Sequence, residues 1–309
     1  MRLIFVVIFG CNLVSITTIH ASREQWKEGH YYSAIPSLED VERAISQTKG
    51  SSLPGIDLRP AHQLTHLVTM NKVSEEIVFK KESIMSRSAQ YKGRYYVNNN
   101  IFNFGDAFTL SYMIRHVLPA RIIEIGSGLS SCVMVDTVEE LGHPANLTFI
   151  EPDPVRLVKN MGGVKIGKNS FQSGSVPFTL YEDQVQNIDL SFFKNLQAGD
   201  ILFIDSSHTA KAGSDVLHLF FNVIPILPAG IHVHVHDIFW PFEYPSSWFK
   251  EGRFWTEAYL LKALLQNNRH LHIDYWQSYI HNIFPEKLGR VSEAYARNCG
   301  GHELNPCCW

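Results

Sequence analysis

The sequence predicts a doubly wound α/β fold: a mostly parallel, Rossmann-like sheet with helices on both faces, preceded by an N-terminal helical extension. Three observations carry the prediction. Short apolar runs alternate with helix-length stretches from residue 121 onward. Three of those runs end in an acid, at Glu124, Glu151 and Asp205. The first opens directly into the turn Gly126-Ser-Gly128, where two glycines let the backbone take positive φ and let a ligand approach closely.

Taken in order, residues 22–94 are polar and mixed, with helical stretches at 37–48 and 71–81. Ser37-Leu-Glu-Asp40 has the form of a capping box at the start of the first. Residues 102–117 read as a helix, with Ala107, Leu110, Ile114 and Val117 at helical spacing. Alternation then sets in. Strand Arg121–Ile125 leads to a helix at 130–141, and strand Asn146–Ile150 leads to a helix at 154–160. A weaker strand at 178–181 precedes a helix at 190–196. A strand at 200–204 precedes a helix at 214–224, and Leu227-Pro-Ala-Gly230 punctuates the chain before a strand at 231–236. A helix at 254–266 and an outer strand at 270–276 complete the pattern. The expected organisation is therefore a leader (1–21), a helical extension (22–94), an α/β domain (95–276) and a tail (277–309).

Composition excludes some classes. The 309 residues are 45% hydrophobic and 18% charged, enough for a sizeable core and against general disorder. A net charge of −3 and the absence of any lysine or arginine run argue against a nucleic-acid partner, which needs a basic face. Residues 1–21 carry Arg2, an apolar run over 3–16 and a small residue at Ala21, the pattern of a secretory signal peptide. That run is shorter than a membrane-spanning helix requires. Cys299, Cys307 and Cys308 cluster in the tail, where a disulfide or free thiols fit better than a zinc clip.

Two cofactor classes use an acid-ended strand followed by glycines. The nicotinamide fingerprint wants a third glycine where this chain has Ser131, and a carboxylate at Glu124 is a poor neighbour for pyrophosphate. A sulfonium cofactor carries no phosphate and tolerates it. Gly162 to Asn169 nearly spells a phosphate-binding loop, but Asn169 replaces the magnesium-holding hydroxyl.

With Glu124, Gly126, Gly128 and Ser130 in its first motif, the chain resembles the class I S-adenosylmethionine-dependent methyltransferases. Asp200-Ile-Leu-Phe-Ile-Asp-Ser-Ser-His208, Pro228-Ala-Gly230, His234-Val-His236-Asp237-Ile-Phe239 and Phe254-Trp-Thr-Glu257 extend the likeness towards a bacterial small-molecule branch, over about residues 95–276. The resemblance implies S-adenosylmethionine as cofactor, with Glu151 on the ribose, Asp183 at the adenine amino group and Asp205 at the same pocket. It implies a small-molecule acceptor, methylated at a hydroxyl or on a sugar.

Two catalytic devices are then open. His208 is one, as a general base. The other is a divalent cation such as Mg²⁺ held by Asp205 and Asp237. Alternatively Asp205 only caps a helix and His208 only lines the pocket. The run Phe239-Trp-Pro-Phe-Glu-Tyr-Pro245 is expected to wall the acceptor or to form a dimer surface. His232 and His234 are expected as buried core residues. An NAD-dependent oxidoreductase and a non-catalytic exported binding protein remain as alternatives. Export by the leader stands against a cytosolic cofactor supply, and a membrane is met only through an uncleaved leader. A homo-oligomer is compatible with the sequence.

Overall fold

Neighbouring residues of the first strand serve two cores. Ile122 joins a cluster with Leu147, Phe149, Phe178, Leu180 and Phe203, while Ile123 and Ile125 join another with Ile150, Leu202 and Ile204. The period of two along each strand makes this division, and a sheet buried on both sides is the result. The structure is a computed structural model that describes residues 26–48, 52–79 and 93–291.

Seven strands form one sheet: β1 (Arg121–Ile125), β2 (Asn146–Ile150), β3 (Val164–Lys165), β4 (Ser170–Ser173), β5 (Val176–Tyr181), β6 (Ile201–Ile204) and β7 (His232–Val235). Their order is β3-β4-β5-β2-β1-β6-β7. Five strands, β5-β2-β1-β6-β7, run parallel, and β3 and β4 add an antiparallel edge. The chain reverses its direction of travel across the sheet between β1 and β6, the switch point where open α/β sheets bind ligands. The near phosphate-loop segment makes the β3–β4 hairpin, with Ile166 and Gly167 N–H both donating to the Ser170 carbonyl.

Eleven helices appear among the described residues: α1 (Leu38–Thr48), α2 (Pro60–Val73), α3 (Phe104–Val117), α4 (Leu129–Leu141), α5 (Val155–Met161), α6 (Leu190–Lys194), α7 (Asp215–His218), α8 (Ser246–Lys250), α9 (Glu257–Leu265), α10 (Gln277–Ile283) and α11 (Pro285–Leu288). Residues of α3, α4 and α5 pack in the first cluster, those of α6 and α7 in the second, and α9 touches both. The Ser37–Asp40 capping box forms as expected: Asp40 N–H donates to Ser37 Oγ, and Ser37 N–H donates to the Asp40 carboxylate.

Three local expectations are corrected. The helix expected at 71–81 ends at Val73 and begins at Pro60, whose fixed φ suits a first helical turn; residues 80 and 81 lie outside the described residues. Its inward face carries Gln63 and His66 beside Leu67 and Met70, so no apolar stripe announces it. The helix expected over 214–224 breaks after one turn into a wider turn at Leu219–Val223 and a tight one at Ile224–Ile226, because Pro225 has no N–H to continue it. The strand expected at 270–276 is not a strand. Its backbone bonds to side chains of α2 and the residue before it: Trp276 N–H donates to Gln63 Oε1 at 2.8 Å, and Arg59 reaches the Ile273 carbonyl at 3.4 Å.

No helix among the described residues is long and apolar enough to cross a membrane. The leader and the three tail cysteines lie outside the described residues.

A buried ion network ties the segment before α3 to the rest. Arg94 Nη1 lies 2.8 Å from both Asp136 and Glu139, its Nε and Nη2 donate to Ser173, and the Arg94 and Tyr95 N–H groups donate to Asp136 Oδ2. Removing one partner strands the other charge in a buried site. Arg94→Met is therefore expected to cost about 3–5 kcal/mol, read as a shift of the urea unfolding midpoint. A loss below about 1 kcal/mol would show that water replaces the guanidinium.

Candidate active site

Past the end of each parallel strand the ladder runs one residue further. Gly126 N–H donates to Ile150 O (3.0 Å), Glu151 N–H to Tyr181 O (3.0 Å), Asp205 N–H to Ile125 O (2.9 Å) and His236 N–H to Ile204 O (2.8 Å). These four bonds set Gly126, Glu151, Asp205 and His236 in a row along the carboxyl edge of the sheet. Gly126 has φ +82°, and a Cβ built on it would lie 1.8 Å from the Asp205 carbonyl oxygen. No other residue fits there.

The turn after β1 is held from beneath by Glu124. This side chain is fully buried and accepts hydrogen bonds from the Ser130 and Ser131 hydroxyls, while Ser131 Oγ in turn accepts from Gly128 N–H. Burial pushes the Glu124 carboxyl up to about 8, against the two serine hydroxyls, which lower it. Glu124 thus faces the first turn of α4 and sets the shape of the loop. The residues that line the cleft at the switch point include Phe102, Gly126, Ser127, Gly128, Ser130, Glu151, Arg156 and Asp205.

Glu151 accepts from Ser127 N–H (3.0 Å) and Asp153 N–H (2.8 Å) through its two oxygens. Ser127 Oγ is buried with no hydrogen-bond partner among the described residues. Asp183 does not line the cleft; its Oδ1 accepts from Gln184 N–H and Asn187 Nδ2 in the turn after β5. Phe102 and Arg156 carried no signal in the sequence, since an apolar residue before a helix and a basic one within a helix are commonplace.

Beside the cleft, three side chains converge. The ligand atoms of Asp205, His208 and Asp237 all lie within 4.8 Å of one another. His208 Nε2 is 3.1 Å from Asp205 Oδ1 and 3.7 Å from Asp237 Oδ2, and His208 Nδ1 is 2.8 Å from Glu257 Oε2. Burial disfavours an imidazolium here, but the bonds to Asp205 and Glu257 outweigh it and hold His208 well above the ordinary histidine range. Both His208 (φ +55°) and Asp237 (φ +57°) occupy the left-handed region, a strained choice for residues with a Cβ.

Glu257 was part of the motif but had no assigned role. It is fully buried, and the first N–H groups of α9, at Thr256 and Glu257, donate to the His208 carbonyl. Trp255 stacks on the His208 ring with centroids 4.2 Å apart; nothing in its spacing foretold that contact.

Most of the aromatic run after β7 is drawn into the core, and of it Phe242 also lines a cavity of about 440 Å³ on the far side from the glycine turn. Phe239, Phe242 and Tyr244 are buried in the core, and Trp240 packs against Trp276 and Tyr279. They are apolar enough to be drawn under the loop instead of over it. Of the three histidines on β7, His234 and His236 are buried. His234 stacks on Phe203 at 4.1 Å, and His234 Nε2 lies 3.1 Å from His236 Nδ1. His232 is half-buried and turns to Asp274, contrary to its expected place in the core.

Residues 123–238 match the family model described as a methyltransferase domain. Over 174 residues, 55% of this chain, the sequence is 30% identical to an uncharacterized protein of Archaeoglobus fulgidus, of which it covers 72%. A solved structure named cmcI-D160 Mg-SAM shares 17% identity over 51% of this chain and 60% of its own, with a TM-score of 0.30.

Two outcomes check this geometry. Gly126→Ala is expected to destabilise the fold by more than about 1 kcal/mol from the φ constraint alone, with the Asp205 contact adding to it, read by thermal unfolding. For Glu124 the sign follows from its raised carboxyl: the folded chain holds the proton more tightly than the unfolded chain. Stability from that proton is full below about pH 4.5 and is lost as pH climbs towards 8. Glu124→Gln should flatten unfolding free energy across that window relative to wild type, measured by urea titrations at pH 5 and 8.

Proposed function

The chain belongs to the class I S-adenosylmethionine-dependent methyltransferases, and we propose that it methylates a hydroxyl group of a small molecule or sugar with the help of a divalent cation held by Asp205, His208 and Asp237. The observation that carries this is the convergence of those three side chains beside the glycine turn.

The residues fit both groups. The buried, unpartnered Ser127 hydroxyl and the Glu151 carboxylate line the cleft proposed for the cofactor's ribose. The cleft encloses about 60 Å³ with Arg156 lying across Gly128. A cofactor-sized ligand needs roughly 300 Å³ or more, so binding requires Arg156 to move outward. For a cation, two carboxylates and an imidazole supply a hard donor set suited to magnesium or manganese. Glu257 stands behind His208 as metal-bound histidines require, its carboxylate on Nδ1 directing Nε2 into the site.

Glu151, Ser127 and the glycine turn would hold S-adenosylmethionine, which would supply an electrophilic methyl group, and a cation held by Asp205, His208 and Asp237 would lower the pKa of the acceptor hydroxyl. The chain's own work is positional. Gly126 places the cofactor loop against Asp205, so methyl donor and acceptor are held by neighbouring strand ends. Glu257 and Trp255 fix the His208 ring. Both nitrogens of that ring face carboxylates, which leaves His208 better placed as a ligand than as a free general base.

The test is a mass-spectrometric screen of hydroxylated metabolites with methyl-labelled cofactor. A chelator is expected to abolish labelling and Mg²⁺ or Mn²⁺ to restore it. Asp237→Asn should lower turnover about 10²-fold or more while cofactor affinity, read by calorimetry, is unchanged. Glu257→Gln should raise the metal concentration needed by about 10- to 100-fold. Activity that ignores chelator and survives in Asp237→Asn would instead return the general base to His208.

A further inference from the structure

A second set of metal-ligand side chains lies at the other end of the β7 histidine row, away from the switch point. The ligand atoms of His62, His66 and Asp274 lie within 4.8 Å of one another. His62 Nε2 is 2.6 Å from Asp274 Oδ1, His66 Nε2 is 3.4 Å from the same oxygen, and His232 Nδ1 is 3.4 Å from Asp274 Oδ2. Three donors, two imidazole nitrogens and one carboxylate, thus gather from α2 and the segment after α9, while His232 of β7 meets the other carboxylate oxygen. We infer that His62, His66 and Asp274, with His232 holding the far carboxylate oxygen, form a binding site for a divalent transition-metal ion of the zinc class.

Donor chemistry and spacing support this independently. Imidazole with one carboxylate is the ligand type zinc takes, four-coordinate, at bonds of about 2.0–2.1 Å. Tetrahedral bonds of that length put ligand atoms about 3.4 Å apart; His66 Nε2 already keeps that separation from Asp274 Oδ1, and His62 Nε2 stands 2.6 Å from the same oxygen. His66 is buried, and its Nδ1 lies 2.9 Å from the Tyr112 hydroxyl. With Nδ1–H donating to Tyr112, Nε2 presents its lone pair on the Asp274 side, the outer-shell arrangement that orients metal-bound histidines. Arg59, which lines the adjoining cavity, donates to the Ile273 carbonyl at 3.4 Å.

The site has a position in the fold that gives it consequence. His232 and Asp274 also line a cavity of about 440 Å³, walled by apolar residues such as Val233, Leu261, Leu264 and Ile273. His62 and His66 belong to α2. An ion there would staple the helical extension to the open edge of β7 at the mouth of that cavity, and the half-exposed His62 and His232 leave it a route from solvent.

The experiment is a Co²⁺ titration of the metal-stripped full-length chain, followed by its visible absorption. Asp205→Asn is used as background, so that the proposed catalytic cation set does not contribute. One equivalent of Co²⁺ with the intense bands of tetrahedral nitrogen-rich coordination is expected, displaced by Zn²⁺. The bands should vanish in Asp274→Asn, and affinity should fall in His62→Ala and by about tenfold or more in Tyr112→Phe. Zn²⁺ should raise the thermal midpoint of the Asp205→Asn chain but not of the same chain carrying His62→Ala, a surface change that circular dichroism should show to be folded. Absence of tetrahedral cobalt bands, or bands and affinity undiminished in His62→Ala and Asp274→Asn, would overturn the inference. Loss of methyl transfer in Asp205→Asn bears only on the other site.

Discussion

The contact between the backbones of Gly126 and Asp205 governs the functional end of this molecule. Parallel strands β1 and β6 meet so closely beyond their ends that a single Cβ would occupy the space of a carbonyl oxygen. The consequence is a rigid coupling. The glycine turn after β1 and the Asp205 carboxylate beside it are fixed by one ladder of backbone hydrogen bonds, not by two loops free to drift. A misplacement of about 1 Å at such a site is costly because reacting atoms must approach in line. The glycine removes the one atom that would force that misplacement.

From that junction outward, strain is held in place by bonds from distant elements. His208 and Asp237 both sit in the left-handed region, which costs of order 1–3 kcal/mol each. The start of α9 holds the first of them. Its leading N–H groups, which lack partners within their own helix, donate to the His208 carbonyl, and the Glu257 carboxylate grips the ring. A helix start that needs an acceptor and a turn that needs an anchor satisfy each other. Trp255 covers the imidazole, so water has poor access to the charged pair beneath it.

Strand β7 shows how one periodic pattern can serve different ends. Alternation puts His232, His234 and His236 on one face. At the carboxyl end His236 faces the acids of the switch point; in the middle His234 stacks flat on Phe203 with its charge suppressed by burial. At the amino end His232 joins Asp274, whose carboxyl the surrounding histidines hold far below the usual range. The outer edge of β7 lacks a paired strand among the described residues, because the chain that passes it spends its backbone bonds on α2.

The sequence by itself determined the parallel α/β core, the glycine turn and the acids at the strand ends, because period-two burial, helix spacing and turn chemistry are local properties that a run of five to fifteen residues displays. β1 and β2 fall where the pattern puts them. Asp205 and Asp237 were legible for the same reason, each lying at the end of a strand pattern, and His208 stood out three residues beyond the first of them. What each side chain faces was decided only by the tertiary structure. Glu124 turned towards α4, the aromatic run after β7 went into the core, and α2 hid behind a polar inner face. The partners of His208 and His62 lie 49 and 212 residues away in the chain, and no local periodicity reports on pairs so far apart. They exist because folding brings a helix start and a loop to those rings, and for His208 and Glu257 the cost of leaving a buried polar partner unpaired keeps them there.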